Sequence, residues 1–511
     1  MPSLFAISVG ILAATYFFLR LLLNATQDAQ EPPAILTSIP FFSPLVQMLK
    51  QKTQLHLRLS TQYGLPIYTL RLPFIRIYVV NDTDLIPILQ RQWRTVSFAA
   101  ITTNGGVLCG MSKTAVQIMT HDLTNENSFS IGWPKYITPS LAPGMELDAI
   151  NRRSAEVLAT ELLSQQIKGT VRVGMRAWSQ HLMITATTEA IYGPENPYRD
   201  PAIVEAWKIF ETGFLTFALF PFAMRFFPAV YRAREKAAAA MLNYMKREGH
   251  KNASGFVRKR YEHHSQWGLK LEDLARGEVG NTFGILGNST PCAFWVLYHI
   301  FSDERVLSDI RKELEALVQD EEGGTVSSLN LASVRTSCPV LLSTFQETLR
   351  YRSVMAGPRA VLEDVHIDGR FLLKKGSIVL IPSSVQHNSV SAWGNDVGEF
   401  KHTRFMPRRG REKQNRVAYR PFGGGHTLCP GRHFASTEIM MVAAICVLQF
   451  DVVPVAGKWI EPTFERSPSG ASFPIPDEDI LVEFRHRDIG RKWHVSFTGS
   501  GEAMKIATED M

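Results

Sequence analysis

Residues 422–432 read Phe422-Gly423-Gly424-Gly425-His426-Thr427-Leu428-Cys429-Pro430-Gly431-Arg432, and a long apolar stretch, Phe434 to Phe450, follows at once. Such a segment must turn sharply, lie close to something flat and then enter a helix. Gly423, Gly424 and Gly425 permit the tight turn. Pro430 has no N–H, so Gly431 is the nearest downstream backbone donor toward the Cys429 sulfur. A helix opening at Arg432 aims its positive end at that sulfur and favours the thiolate. Phe422 offers a ring to pack beside a planar group. Cys429 is therefore a candidate sulfur ligand for a heme iron, a ligand type that favours O–O bond cleavage. The competing reading is a glycine-rich turn around a buried structural cysteine, and the loop alone leaves both open.

Three further segments bear on the choice. In Glu347-Thr348-Leu349-Arg350 the carboxylate and the guanidinium stand three residues apart, on one face of a helix. Phe400-Lys401-His402-Thr403-Arg404-Phe405 lies between that helix and the cysteine loop. Upstream, Gly287-Asn288-Ser289-Thr290-Pro291 interrupts a helical stretch over 273–303. The Pro291 ring clashes with the carbonyl four residues back, that of Gly287, so a kink with freed backbone groups is expected. Taken singly, the pair is common on surface helices and the kink suits an ordinary Pro-bent core helix.

Taken in this order and spacing, the segments resemble the cytochrome P-450 family of heme-thiolate monooxygenases. Phe422, Gly425, Cys429 and Gly431 match its heme loop F-x-x-G-x-x-x-C-x-G. Glu347 and Arg350 match its E-x-x-R motif, and 400–405 is similar to its F-x-x-x-R-F segment. The resemblance runs from about Pro32 to about Arg487. It implies a mainly α fold with a smaller β-rich region, a triangular helical prism around one heme b (iron protoporphyrin IX), and an N-terminal transmembrane helix. It implies Cys429 as the iron ligand and Arg404 as the third member of a cluster with Glu347 and Arg350 behind the heme. Breaking such a buried cluster costs roughly 3–5 kcal/mol. Arg359, after Gly357-Pro358, matches a position that contacts a heme propionate.

The chain departs from the family at three places. Thr427 stands where an Arg often contacts a propionate, and His426 beside it is the candidate substitute. The family's W-x-x-x-R is not visible, so one propionate lacks an assigned partner. Gly287 and Asn288 stand where most members place an acid–alcohol pair. The G-N-x-x-P-x-x-F-W pattern is similar to the branch with sterol 7-alpha- and 12-alpha-hydroxylases and prostacyclin synthase, which contains both hydroxylases and an isomerase. Asn288 both donates and accepts hydrogen bonds and is the candidate catalytic residue holding a water near dioxygen; Ser289 is the second.

The activity this implies is oxidation of a small lipophilic substrate with O2 and electrons from NADPH, delivered by NADPH-cytochrome P-450 reductase. Candidate pocket residues are Phe283, Leu286 and Gly287 on the central helix. Val354, Met355 and Ala356 follow the E-x-x-R helix, and Ala471, Ser472 and Phe473 lie in the C-terminal loop. These are small or apolar and suggest a terpenoid or sterol-like molecule, in keeping with a resemblance to fungal secondary-metabolism members. Two alternatives stand beside this one: a heme-thiolate isomerase or dehydratase that rearranges a peroxide without NADPH, and a non-catalytic heme binder.

Heme motifs spread over 287–432 require one continuous fold, although 511 residues would ordinarily suggest about three domains. The expected organisation is an anchor at 1–24, a Pro-rich linker at 25–50, a catalytic domain at 51–490 and a polar tail at 491–511. Leu4 to Leu23 is apolar apart from Ser8, Thr15, Tyr16 and Arg20, long enough to span a bilayer core. Positive residues follow the span, which places the body in the cytosol; the resemblance implies a single-pass anchor in the endoplasmic reticulum membrane. The net charge of +7 is spread over the chain, with no Lys/Arg run for nucleic acid. The cluster Arg408 to Lys413 reads as a proximal basic patch or a solvated loop. The five cysteines show no C-x-x-C or zinc spacing. Residues 65–81 read as a β-hairpin, 144–165 and 178–192 as helices, and 359–382 as β-rich. Phe210, Phe214, Phe217, Phe220, Phe222, Phe226 and Phe227 read as a lid or as core packing, since Glu211, Pro221, Arg225 and Pro228 argue against a second span.

Overall fold

A computed structural model of the chain describes residues 4–164, 170–217, 221–320, 326–406, 415–488 and 492–498. The first helix, α1 (Leu4–Thr26), is apolar and exposed almost throughout. Among the described residues it is the one helix long and apolar enough to cross a membrane. Its C-terminal carbonyl, that of Thr26, accepts from Arg71 Nη1 at 3.1 Å and Arg76 Nη2 at 2.9 Å. Two cations thus cap the negative end of the helix. Arg20 donates from Nη2 to the Thr37 carbonyl at 2.7 Å, so the anchor is tied to the body at its base. The expected linker contains a helix of its own, Phe42–Gln51.

Arg71 and Arg76 belong to the expected hairpin, β1 (Ile67–Leu72) and β2 (Ile75–Val80), paired antiparallel from Ile67↔Val80 to Leu72↔Ile75. Its tight turn places Phe74 at φ +66° with its ring in solvent. Helix α2 (Leu85–Arg91) and the short strand β3 (Val96–Ser97) follow. The sheet is completed by β4 (Arg359–Val361) and β5 (Ile378–Leu380), in the order β1-β2-β5-β4-β3. The β-rich reading of 359–382 therefore holds. Its strands pair with a hairpin some 300 residues upstream, a partnership no local pattern reveals.

The helical body is built on two segments that are apolar all round and so must be enclosed. One is Ser289–Phe301, every residue of which is buried; the other is Arg432–Gln449, buried from Ser436 onward. They pack on each other, on Met145–Ser164 and Met175–Tyr192, and on the helix bearing Glu347, Pro339–Arg352. A second apolar cluster forms around Pro201–Phe217 and Pro228–Lys246, antiparallel neighbours that cover Leu271–Leu286.

The polar C-terminal tail begins later than expected. Lys492–Ser496 forms a strand paired parallel with Val326–Asn330, and Phe497 is buried in the main core. The alternation Trp493, Val495, Phe497 is the signal for it, obscured by the charged residues around it. Residues 499–511, the basic cluster at 408–413 and Phe220 lie outside the described residues, as does the Phe222 side chain.

Candidate active site

The central segment is two helices rather than one bent helix. Leu271–Leu286 ends with Gly287, whose N–H still donates to the Phe283 carbonyl at 2.9 Å; Ser289–Phe301 then begins, and Cys292 N–H donates to the Asn288 carbonyl at 3.2 Å. Pro291 has no N–H to offer the Gly287 carbonyl, which is the cause of the break. A Cβ on Gly287 would stand 2.7 Å from the Phe283 ring, so only glycine fits there. Within the break, Asn288 is half-buried, and its side-chain amide has no hydrogen bond among the described residues. Ser289 is committed elsewhere. Its hydroxyl donates to the Ile285 carbonyl at 3.0 Å and to that of Leu286 at 3.4 Å, satisfying groups that the break orphans. One turn before Asn288, Gly284 is exposed, and a Cβ there would meet nothing within 4 Å.

The cysteine loop takes the conformation its glycines allow. Gly423 and Gly425 have φ of +81° and +59°. Cys429 N–H donates to the Phe422 carbonyl at 2.9 Å, closing the loop. Burial pushes the Cys429 thiol above its ordinary range, opposed by the backbone N–H groups of Gly431 and Arg432 and by the Arg432 charge. Two backbone amides thus address the sulfur, which suits a thiolate held by a metal ion, since coordination deprotonates a thiol.

Behind the loop, Glu347, Arg350 and Arg404 come together, all at 2% exposure or less. Arg350 donates to both Glu347 oxygens, from Nε at 2.7 Å and from Nη2 at 2.8 Å. Arg404 Nε reaches Glu347 Oε1 at 3.0 Å, and its Nη1 reaches Asp396 at 3.0 Å. Arg350 Nη1 also holds the carbonyls of His387 and Val397. The cluster thus pins the 387–404 segment to the helix.

Two buried arginines at the edge of the loop carry the fit test for a cofactor. Arg359 donates from Nη1 to the Gly357 carbonyl at 2.9 Å and from Nη2 to Thr427 Oγ1 at 2.8 Å. Arg420 sits just before Pro421-Phe422. Its guanidinium nitrogens lie 3.1 and 3.2 Å from where a Cβ on Gly424 would be. Both residues are 5% exposed, and neither has an ion-pair partner among the described residues. Burial pushes Arg359 down to about 10; burial, then repulsion from Arg359, pushes Arg420 down to about 10. Gln90 of α2 brings a buried Nε2 without a partner to the same spot, 2.9 Å from the Gly424 Cβ position. Two desolvated cations without anions are costly, and a macrocycle with two carboxylates and a central iron supplies what these cations and the Cys429 thiol lack.

The remaining sequence expectations are placed as follows. Thr427, not His426, stands beside Arg359; His426 is exposed and rests on Trp93, ring centroids 5.3 Å apart. Phe283 is half-buried, 4.6 Å from the Phe214 ring. Val354 N–H donates to the Ser472 carbonyl at 2.8 Å, so the two expected pocket segments do meet. Met355 and Ala356 are half-buried, their carbonyls accepting from Ser383 and Ile381. Leu286, Ala471 and Phe473, expected to line the pocket, are buried at 0%, 4% and 4% exposure; Leu286 and Phe473 pack into the two helical cores. Arg420 and Gln90 were not anticipated. The one local signal was a lone cation directly ahead of the glycine loop.

A helical body that presents one cysteine on a glycine loop, with an all-buried helix behind it and unpaired cations at its rim, defines a heme-thiolate protein. The chain belongs to the cytochrome P450 family: the family model described as Cytochrome P450 matches residues 33–484. It is 30% identical over 476 residues to "Cytochrome P450 monooxygenase nodJ" of Hypoxylon pulicicidum, covering 91% of each chain. It is 28% identical over 238 residues to prostacyclin synthase of Bos taurus (44% of this chain, 48% of that one). To "Cytochrome P450 7A1" of Sus scrofa it is 26% identical over 286 residues (52% and 55%). The branch suggested by residues 287–295 is thus met among its relatives. Among solved structures, the heme domain of cytochrome P450DA superposes with a TM-score of 0.68 over 90% of this chain and 99% of that one, at 15% identity, a likeness of fold. The chain is a cytochrome P450 monooxygenase; membership implies heme and electrons from a reductase.

Proposed function

We propose that this enzyme oxidises a lipophilic, terpenoid- or sterol-like substrate of secondary metabolism from the endoplasmic reticulum membrane, with its body in the cytosol and NADPH-cytochrome P-450 reductase as partner. The single observation that carries the heme reading is the Cys429 thiol, half-buried on its glycine loop and addressed by the Gly431 and Arg432 amides. Bound heme supplies dioxygen activation; the chain's residues position and protonate. Arg359 and Arg420, buried and without ion-pair partners among the described residues, would hold the heme carboxylates. The free amide of Asn288 holds a water and its proton at the helix break, while Ser289 keeps the break closed through its carbonyl bonds. Membrane residence is supported by α1 and by exposed apolar side chains at Phe42, Leu49, Phe74 and Phe226.

The test is incubation of microsomes carrying the full chain with candidate terpenoids, with and without NADPH, followed by mass spectrometry. Products that gain oxygen only with NADPH support the proposal. A second reading, rearrangement of a peroxide, is favoured by the match to prostacyclin synthase; an isomeric product formed without NADPH would establish it and sink the first. Cys429→Ala must abolish the red-shifted band of the reduced CO complex.

A further inference from the structure

Glu211 lies in the middle of the Pro201–Phe217 helix, 6% exposed, and makes no hydrogen bond or ion pair among the described residues. A buried carboxyl without a polar partner is expensive and calls for an explanation. Its surroundings offer one. Phe214 and Leu215, three and four residues on, share its face of the helix. The Phe214 ring rests on Phe283, one turn before the Gly287–Asn288 break. The Leu215 carbonyl is 2.7 Å from the Cβ position of Gly470, next to the Ala471–Phe473 segment that meets Val354. Glu211 therefore sits on the arc of this helix between two walls of the expected substrate chamber. The opposite side of the helix is already taken: Gly213 packs on Val230.

We propose that Glu211 is the polar anchor of the chamber, hydrogen-bonding a hydroxyl, carbonyl or N–H group carried by an otherwise apolar substrate. The proposal deepens the monooxygenase reading and rests on it. Burial pushes the Glu211 carboxyl up to about 8, against the lowering effect of Lys208. At neutral pH it is mostly protonated, and it both donates and accepts. The rings of Phe214 and Phe283 hold the hydrocarbon body, and the carboxyl fixes which end of it faces the helix break. A site built around such a bond discriminates strongly against an analogue lacking the polar group, because the carboxyl is then left buried and unpaired.

The heme-loaded, full-length protein is titrated with N-alkylimidazoles of increasing chain length, each as a methyl-ended and a hydroxyl-ended pair, following the Soret shift. At the length that reaches Glu211 the hydroxyl-ended probe gains about tenfold over its methyl-ended twin. Glu211→Leu brings that ratio to about one, and Glu211→Gln, which keeps a donor and an acceptor, retains most of it. Glu211→Met replaces the Leu variant if the latter does not hold heme. A merely structural role for Glu211 leaves the ratio untouched, so equal ratios in wild type and Leu or Met variant at every length overturn the anchor alone. A wild-type protein that takes up no heme, and so shows no Soret band, overturns the heme reading, and the anchor with it.

Discussion

Arg359 Nη2 donates to Thr427 Oγ1 at 2.8 Å, so a neutral hydroxyl occupies the ground beside a buried guanidinium where relatives often place a second cation. Arg420, also buried, stands on the same loop and raises the positive charge there. Two buried cations, Arg359 and Arg420, thus stand at the edge of the cysteine loop.

This arrangement sets opposite effects of one mutation on two states. Arg420→Met should release heme about tenfold faster in a transfer assay to apomyoglobin, since one carboxylate loses its charged partner. The same variant without heme should be at least as stable to urea as the wild type, because removing one of two repelling buried cations relieves the chain. Slower heme release, or a destabilised heme-free protein, would refute the pairing.

Glu347 is fully buried between Arg350 and Arg404, both 1% exposed at the side chain. Glu347→Gln should cost roughly 3–5 kcal/mol in urea unfolding of the heme-bound protein, because Arg350 is left without a carboxylate. A cost under about 1 kcal/mol, the range of exposed pairs, would show the cluster to be solvated.

Glu438 lies in the helix after the cysteine loop, accepting from Ser154 Oγ at 2.8 Å and Thr187 Oγ1 at 2.7 Å. Burial pushes it from 4.5 up to about 7, opposed by those two hydroxyls. A raised acid binds its proton more tightly when folded. Its stabilising contribution is therefore full below about 4.5 and is lost as the pH rises through about 7. The difference in unfolding free energy between wild type and Glu438→Gln should change by on the order of 3 kcal/mol between pH 4.5 and 8, in favour of Gln at the high end. A pH-independent difference would contradict the buried, protonated state.

Asn288 and Ser289 should separate cleanly. Asn288→Ala should lower product formed per NADPH consumed, since a free amide at the break is lost. Ser289→Ala should leave that ratio near wild type and cost about 1 kcal/mol of stability, because its hydroxyl serves carbonyls of its own helix. Equal coupling defects in both variants would return Ser289 to the proton path.

The sequence by itself determined the glycine-rich loop around Cys429, the Glu347–Arg350 pair, the hairpin at 65–81 and the interruption at Gly287–Pro291. Each depends on chemistry carried within a few residues: a glycine's φ, a proline's missing N–H, an i,i+3 spacing. Only the tertiary structure decided the rest. Arg420 is notable because no carboxylate among the described residues reaches it. The Ser289 hydroxyl bonds the Ile285 and Leu286 carbonyls that the break orphans. Leu286 and Phe473 turn into core, His426 turns outward to Trp93, and Lys492–Ser496 is a strand because Val326–Asn330 lies alongside. Glu211 looked in sequence like a residue that merely interrupts an aromatic run. Its meaning comes from having no partner, and whether a group is partnered depends on every segment that folding brings near it.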